Sequence, residues 1–222
     1  MRFHYAEAMT NPAYYIPLAQ AAEAAGYFGY VIPDSLIYPK ASDTAYSYTD
    51  DGGRDFLENK PFIETFTLAM AMGAATKTLH FTPNVLKLPV RPPLYSAKIA
   101  ASIAVMTNNR FSLGAGLSVW PEDYAVMGVP WEKRGERFDE CIEIFRGLTA
   151  GGYFEFHGKH FDLPAVKLNP TPTRPIDVLI GGHSDAALKR AARNDGWMFA
   201  GGGIELLGQM LEKYRPFRAE LA

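Results

Sequence analysis

A chain of 222 residues, 48% of them hydrophobic and with a formal net charge of −2, is long enough to bury a full core and carries no basic excess to attract nucleic acid or anionic lipid. Its longest apolar runs are broken by Gly, Thr, Lys or Pro well short of the roughly 20 residues a membrane span needs, which excludes a membrane partner. Met1-Arg2-Phe3-His4-Tyr5 reaches Glu7 without a signal-peptide core, and the lone Cys141 allows no intrachain disulfide, so a reducing cytoplasm is the expected setting.

Phe3 to Ala6 reads as a first short strand. Tyr14 to Ala25 follows as a helix with Pro17 in its first turn, where the missing N–H costs nothing, and Gly26 at its end, where a left-handed residue is wanted. Phe28 to Pro33 is a second strand ending at Asp34-Ser35. Residues 35–59 lose periodicity and fill with Tyr, Asp, Ser and Gly, among them Tyr38, Tyr46, Tyr48, Asp50 and Asp51. An irregular insertion of this length inside a compact domain is expected to act as a lid over the strand ends, with a plain surface loop as the alternative. Pro61 to Thr76 returns as an Ala/Met-rich helix.

Leu79 to Gly116 is the stretch around which the chain is organised. A strand-length run through Val85, a Pro-rich turn, a helix from Leu94 to Met106 and a second strand ending Gly114-Ala115-Gly116 make a βαβ unit, whose long crossover forces parallel pairing. Strand ends carrying Pro83-Asn84 and Gly114 to Gly116 bring backbone close to a neighbour, either a ligand or a tightly packed loop. Leu117 to Tyr124 is expected as a loop that sets Trp120, Glu122 and Asp123 beside them. Phe138, Cys141, Ile142, Phe145 and Leu148 then fall on one helical stripe, making Cys141 a core residue. Residues 153–164 form a hairpin insertion about Gly158. Its His157 and His160 lack a third partner for a metal and are expected as exposed turn residues, so no metal site is assigned.

Ile176 to Ile180 is the next strand, with Gly181-Gly182-His183 as its turn and Ser184 as N-cap of a helix reaching Arg193. Trp197 to Ala200 ends in Gly201-Gly202-Gly203 before a further helix from Ile204. Each glycine turn opens into a helix N-terminus and is a candidate anion cradle or a simple connector; neither has the spacing of a dinucleotide fingerprint or a P-loop. Strands alternating with helices in this way specify an α/β fold with a parallel sheet. Closure into a barrel takes eight strands and typically about 250 residues, more than are present, so an open or incomplete barrel is expected.

Taken together these residues resemble the bacterial luciferase-like monooxygenase superfamily. The likeness rests on Ala21 to Gly26, Asp34, Asn84-Val85, Leu88 to Pro93, Ala97-Lys98, Arg110 to Gly116, Trp120, Gly128 to Pro130, Arg134 to Glu140, Pro175 to Gly182 and Asp195 to Trp197. It implies a single luciferase-like domain over residues 1–222, a TIM (β/α)8-type barrel with about six of its eight βα units and a missing C-terminal part. It further implies an oxidoreductase or monooxygenase that uses FMN or the deazaflavin coenzyme F-420 on a small organic substrate, as a homodimer through the outer helices. In such proteins the residues matching Asn84-Val85 form a non-prolyl cis peptide behind the ring, with Gly116 nearby. The cofactor phosphate would lie at Gly181, Gly182, His183 and Ser184 and at Gly201 and Gly202, and the reacting substrate near Asp34, Ser35, Trp120 and Glu122. The sequence departs from the deazaflavin branch at Ser35, where relatives often carry His, and at Gly201 to Gly203, which bring no Lys to a phosphate. His4 and His183 are the spare acid–base candidates. A cofactor-binding protein of the same fold without turnover, and a phosphosugar-type barrel enzyme, are the competing readings.

Overall fold

A computed structural model describes every residue except Ala8, Ser47, Tyr48, Asp50, Ala200 and Ala222, so the expectations for Tyr48, Asp50 and the strand end at Ala200 lie outside the described residues. The strands are β1 (His4–Ala6), β2 (Gly29–Ile32), β3 (His80–Pro83), β4 (Leu86–Lys87), β5 (Leu113–Gly116), the hairpin β6 (Phe154–His157) and β7 (Asp162–Val166), then β8 (Val178–Gly181) and β9 (Gly196–Met198). The helices are α1 (Tyr15–Ala24), α2 (Thr65–Ala75), α3 (Pro93–Met106), α4 (Pro121–Val126), α5 (Arg134–Ala150), α6 (Asp185–Ala192) and α7 (Ile204–Ala219).

β1, β2 and β3 pair in parallel, as do β4, β5, β8 and β9, and a parallel bridge from Phe81 to Phe111 joins the two groups into one arc. β3 and β4 are one strand interrupted at Asn84-Val85; the strand expected to end at Val85 resumes at Leu86-Lys87, where a turn was expected. The arc is part of a barrel. Among the described residues β1 and β9 each have a single strand neighbour, so the barrel is open on that side. Residues of the strands (Tyr30, Ile32, Phe81, Leu113, Val178, Ile180) and of the helices outside them (Tyr15, Phe66, Met72, Phe138, Phe145) share one buried core. The stripe on α5 is buried as its spacing requires. No helix among the described residues is long and apolar enough to cross a membrane.

Close strand packing depends on glycine in one place above others. A Cβ at Gly114 would lie 1.8 Å from the Pro83 carbonyl oxygen, so β5 and β3 approach here only because the side chain is missing. At the opposite, amino end of the strands Arg110 donates to the carbonyl oxygens of Thr107, Leu79, Gly73 and Thr76, stopping α2 at its C-terminus. Glu23 of α1 accepts from the backbone N–H groups of Lys77, Thr78 and Leu79. Burial pushes that carboxyl up, but the three N–H donors outweigh it and hold it at about 2.

Three local expectations change. The stretch after β5 is not a loop throughout, because Pro121 presets the first helical turn and Glu122 and Asp123 oppose its dipole, giving α4. The helix expected from Pro61 starts at Thr65, where Glu64 caps it by accepting from the N–H groups of Phe66 and Thr67. His160 is not exposed: its side chain is 19% accessible, drawn inward because Glu140 of α5 accepts the N–H groups of Lys159, His160 and Phe161 and ties the hairpin turn to the helix. His157 is exposed, beside Asp162.

Candidate functional site

At the carboxyl ends of the strands, where α/β barrels carry their chemistry, lies a cavity of about 300 Å³. Its lining includes Asp34 and Ser35 after β2, Asn84, Val85 and Lys87, Ser118 and Trp120 after β5, and Tyr46, Leu57 and Phe62 from the 35–59 insertion and its exit. A second cavity of about 250 Å³ shares Ser35, Leu57, Phe62 and Trp120 with it. The peptide between Asn84 and Val85 is cis. Val85 is fixed by glycines on two neighbouring strands: a Cβ at Gly116 would lie 2.5 Å from one of its methyl groups, and a Cβ at Gly181 2.5 Å from the other. Gly116 and Gly181 therefore act on the cavity through Val85, and neither is among the residues lining it.

Two ion pairs underlie the cavity. Asp34, 1% accessible, receives both Nη groups of Arg91 at 2.7 and 2.9 Å, the hydroxyl of Thr65 at 2.8 Å and the backbone N–H of Lys87 at 2.9 Å. Its carboxylate is thus fully engaged in joining β2, β4 and α2. Lys87, 10% accessible, places Nζ 2.7 Å from Oδ2 of Asp123, which is 0% accessible. The same Oδ2 accepts from the Ser118 hydroxyl, and Ser118 Oγ accepts the backbone N–H of Trp120 at 2.9 Å. The polar chain from Lys87 to Trp120 fixes one wall. Asp123 was expected beside the strand ends, but Lys87 and its pairing with Asp123 were not, although a lysine inside the run Val85-Leu86-Lys87-Leu88-Pro89-Val90 was itself the signal, since a cation in a buried strand needs a partner.

Trp120 also carries the insertion. Tyr46 stacks on its indole at 5.6 Å with an interplanar angle of 5°, and the Arg54 guanidinium lies 4.7 Å from the Tyr38 ring and 5.3 Å from that of Trp120. Tyr46 and Leu57 of the insertion line the cavity. Ser35 donates to the Ile37 carbonyl at 3.3 Å, at the start of this segment.

The remaining expected residues sit apart from the cavity. Gly182, Gly201 and Gly202 have φ of +123°, +120° and +123°, values that only glycine adopts readily, and nothing lies within 4 Å of where a Cβ of Gly201 would be. Gly181 pairs with Met198, so the two glycine turns are neighbours. Ser184 caps α6 by accepting from Ala187 N–H, while His183 stacks on Phe199 at 5.0 Å, where burial lowers its pKa. Asp185 and Glu205 occupy the first turns of α6 and α7 and offset the positive ends that an anion would use. Glu122, in the first turn of α4, is half-buried, and its Oε2 has no hydrogen-bond partner among the described residues. Cys141 is sealed in the core, where burial pushes its thiol up to about 12 and removes it as a nucleophile.

An open parallel α/β barrel with a cavity at its carboxyl rim, bordered by a cis peptide and lined in part by an inserted segment, defines a small-molecule-binding enzyme scaffold. The chain belongs to the luciferase-like monooxygenase family, whose pattern it matches over residues 2–221. It is 58% identical to the uncharacterized protein Rv0940c of Mycobacterium tuberculosis over 220 residues, which are 99% of this chain and 76% of that one. It is 30% identical over 188 residues to the FMNH(2)-dependent dimethylsulfone monooxygenase of Pseudomonas fluorescens, covering 83% of this chain and 47% of that protein. Among solved structures, the monooxygenase RslO1 of Streptomyces bottropensis superposes with a TM-score of 0.78 at 18% identity, over 99% of this chain and 66% of that one. An F420-dependent secondary alcohol dehydrogenase gives the same TM-score and identity over 99% and 65%. The chain thus spans just under two thirds of these two solved relatives and about half of the dimethylsulfone enzyme.

Proposed function

We propose that the protein is an oxidoreductase that holds the ring of FMN or coenzyme F-420 against Asn84-Val85 and presents to it a small organic molecule in the same cavity. The observation that carries this reading is the coincidence of the cis Asn84-Val85 link with a cavity of about 300 Å³ at the barrel rim, the lower end of the range for small-molecule sites. The residues fit a flat tricyclic ring: a mostly apolar wall of Val85, Leu117, Val119 and Trp120 with few polar points. When bound, the ring supplies the electrons, either as hydride or in partnership with oxygen. FMN is favoured by the dimethylsulfone relative, the deazaflavin by the alcohol dehydrogenase neighbour.

The side chains then take distinct roles. Asp34, expected as catalytic, is assigned to positioning, because its oxygens are spent on Arg91, Thr65 and Lys87. Ser35 Oγ is the hydroxyl at the cavity mouth that can orient a substrate oxygen. Trp120 and Tyr46 exclude water above the ring. Gly182, Ser184, Gly201 and Gly202 would meet a phosphate through backbone N–H groups, against the opposing charge of Asp185 and Glu205. Glu122, expected as catalytic, lies outside the cavity lining and is kept as a candidate contact through its unpartnered Oε2. A homodimer through the outer helices has a suitable surface in a groove between α2 and α3, lined by Met70, Ala74, Ile99, Ile103 and Met106.

Anaerobic titration of the purified protein with reduced FMN and with reduced F-420, followed by Trp fluorescence, tests the central claim. Saturable quenching by one of them is expected, weakened at least tenfold in Trp120→Ala. Failure of both to bind removes the proposal.

A further inference from the structure

We infer that Lys87 is a specificity-determining hydrogen-bond donor to an uncharged carbonyl-type oxygen, and that Asp123 cancels its charge so that the cavity rejects anions. The inference rests on the reading of this cavity as the reaction site. Lys87 lines the cavity, and its ammonium makes a single ion pair among the described residues, to Asp123 at 2.7 Å. An ammonium has three donors, so one ion pair leaves donor capacity on a residue that lines the cavity beside Asn84 and Val85.

The charge balance says what that is. Asp123 is closed to solvent, and the second buried cation nearby, Arg91, is already bound by both oxygens of Asp34. Both pairs are neutral overall. The remaining lining carries no charge, being apolar apart from Ser35, Tyr46, Asn84 and Ser118, and the cation Arg54 is not among the lining residues. A carboxylate or sulfonate entering here would lose its water without meeting a surplus positive charge. A neutral amide, ketone or lactam would lose far less and would gain a charge-assisted hydrogen bond from Lys87. The acceptor oxygen can belong to the dione edge of the ring or to the substrate.

Benzamide and benzoate, equal in shape and different in charge, are the probes, measured by calorimetry on the wild type, Asp123→Asn and the double variant Lys87→Met/Asp123→Asn. The double variant removes both charges and avoids leaving one buried alone; thermal melts report its folding, and Asp123→Asn provides an independent arm. Wild type is expected to bind benzamide at least tenfold more tightly than benzoate. Asp123→Asn should shift the preference toward benzoate by tenfold or more, and the double variant should lose at least tenfold in benzamide affinity. Equal binding of the two probes by wild type, no benzamide binding, or no change of preference in Asp123→Asn overturns the inference. Repeating the titration with the ring bound separates the two sources: benzamide competing with the ring places the acceptor on the cofactor, and benzamide adding to the loaded protein places it on the substrate. A wild type that binds the ring but treats the probes alike defeats only the role of Lys87, whereas one that binds no ring defeats the underlying function.

Discussion

His80, on β3 at the amino end of the barrel, shows what a single buried imidazole contributes. Its Nε2 is 2.8 Å from Ser112 Oγ, and burial, followed by the charges of His4, Arg110, Arg2 and Arg174, lowers its pKa to about 4. The folded state therefore resists a proton that the unfolded chain accepts near 6.5, so the stability this neutral ring confers is present above 6.5 and lost as pH falls from there toward 4. The difference amounts to on the order of 3 kcal/mol. Urea unfolding at pH 7.5 and 4.5 should show a loss of that order in wild type and a flatter response in His80→Asn. An unchanged slope in the variant would place the acid sensitivity elsewhere. At the carboxyl end the contrast is between Asp34, whose oxygens are fully used inside the scaffold, and Lys87, which keeps donors toward the cavity.

Elements are held in register by what is absent from their backbones. Gly114→Ala would drive a methyl into the Pro83 carbonyl at 1.8 Å, and backbone cannot move aside as a side chain can. Overpacking of this kind costs about 3 kcal/mol or more, which for a chain of this size lowers Tm by roughly 6–12 °C in a calorimetric scan. A Tm within 2 °C of wild type would show that β3 and β5 can separate at no cost. Much of this layer was readable beforehand: the α5 stripe, Gly26 after α1, and the glycine-ended strands followed from periodicity and turn chemistry. The notch around Val85 was not, because its two glycines come from β5 and β8, about 65 positions apart in the chain, and nothing local in either strand names the partner. The pairing of Lys87 with Asp123 was hidden for the same reason, although Asp123 was expected beside the strand ends and the lone lysine in an apolar run was a clue. The helix at Pro121 was masked by its shortness, since α4 has six residues and shows no stripe.

Across the whole molecule, the two ends of the barrel divide the work. The amino end gathers Glu23, His80 and Arg110 into contacts that close loops and helix ends, and the carboxyl end gathers the cavity, the ion pairs and the inserted segment. The outer surface carries a third feature: Tyr95 and Met106 on α3 are 62% and 72% accessible beside the groove between α2 and α3. If this face pairs two copies, light scattering should give twice the 24.5 kDa of the chain. Met106→Glu should return it to a single copy, with stability changed by no more than about 0.5 kcal/mol because that side chain packs little within its own chain. A wild type of 24.5 kDa would end the proposed dimer.

The clasp on Val85 sets the terms on which this site could diversify. One side chain is wedged between strands from separate βα units, so the floor behaves as a dowel through three boards: reshaping it means resetting all three together. The inserted segment is held differently, by ring contacts of Tyr46 and Arg54 with Trp120, which the chain through Ser118 and Asp123 anchors to Lys87. New substrate preferences should therefore arise by redrawing residues 35–59, leaving the surface around Val85 and the Lys87–Asp123 pair unaltered.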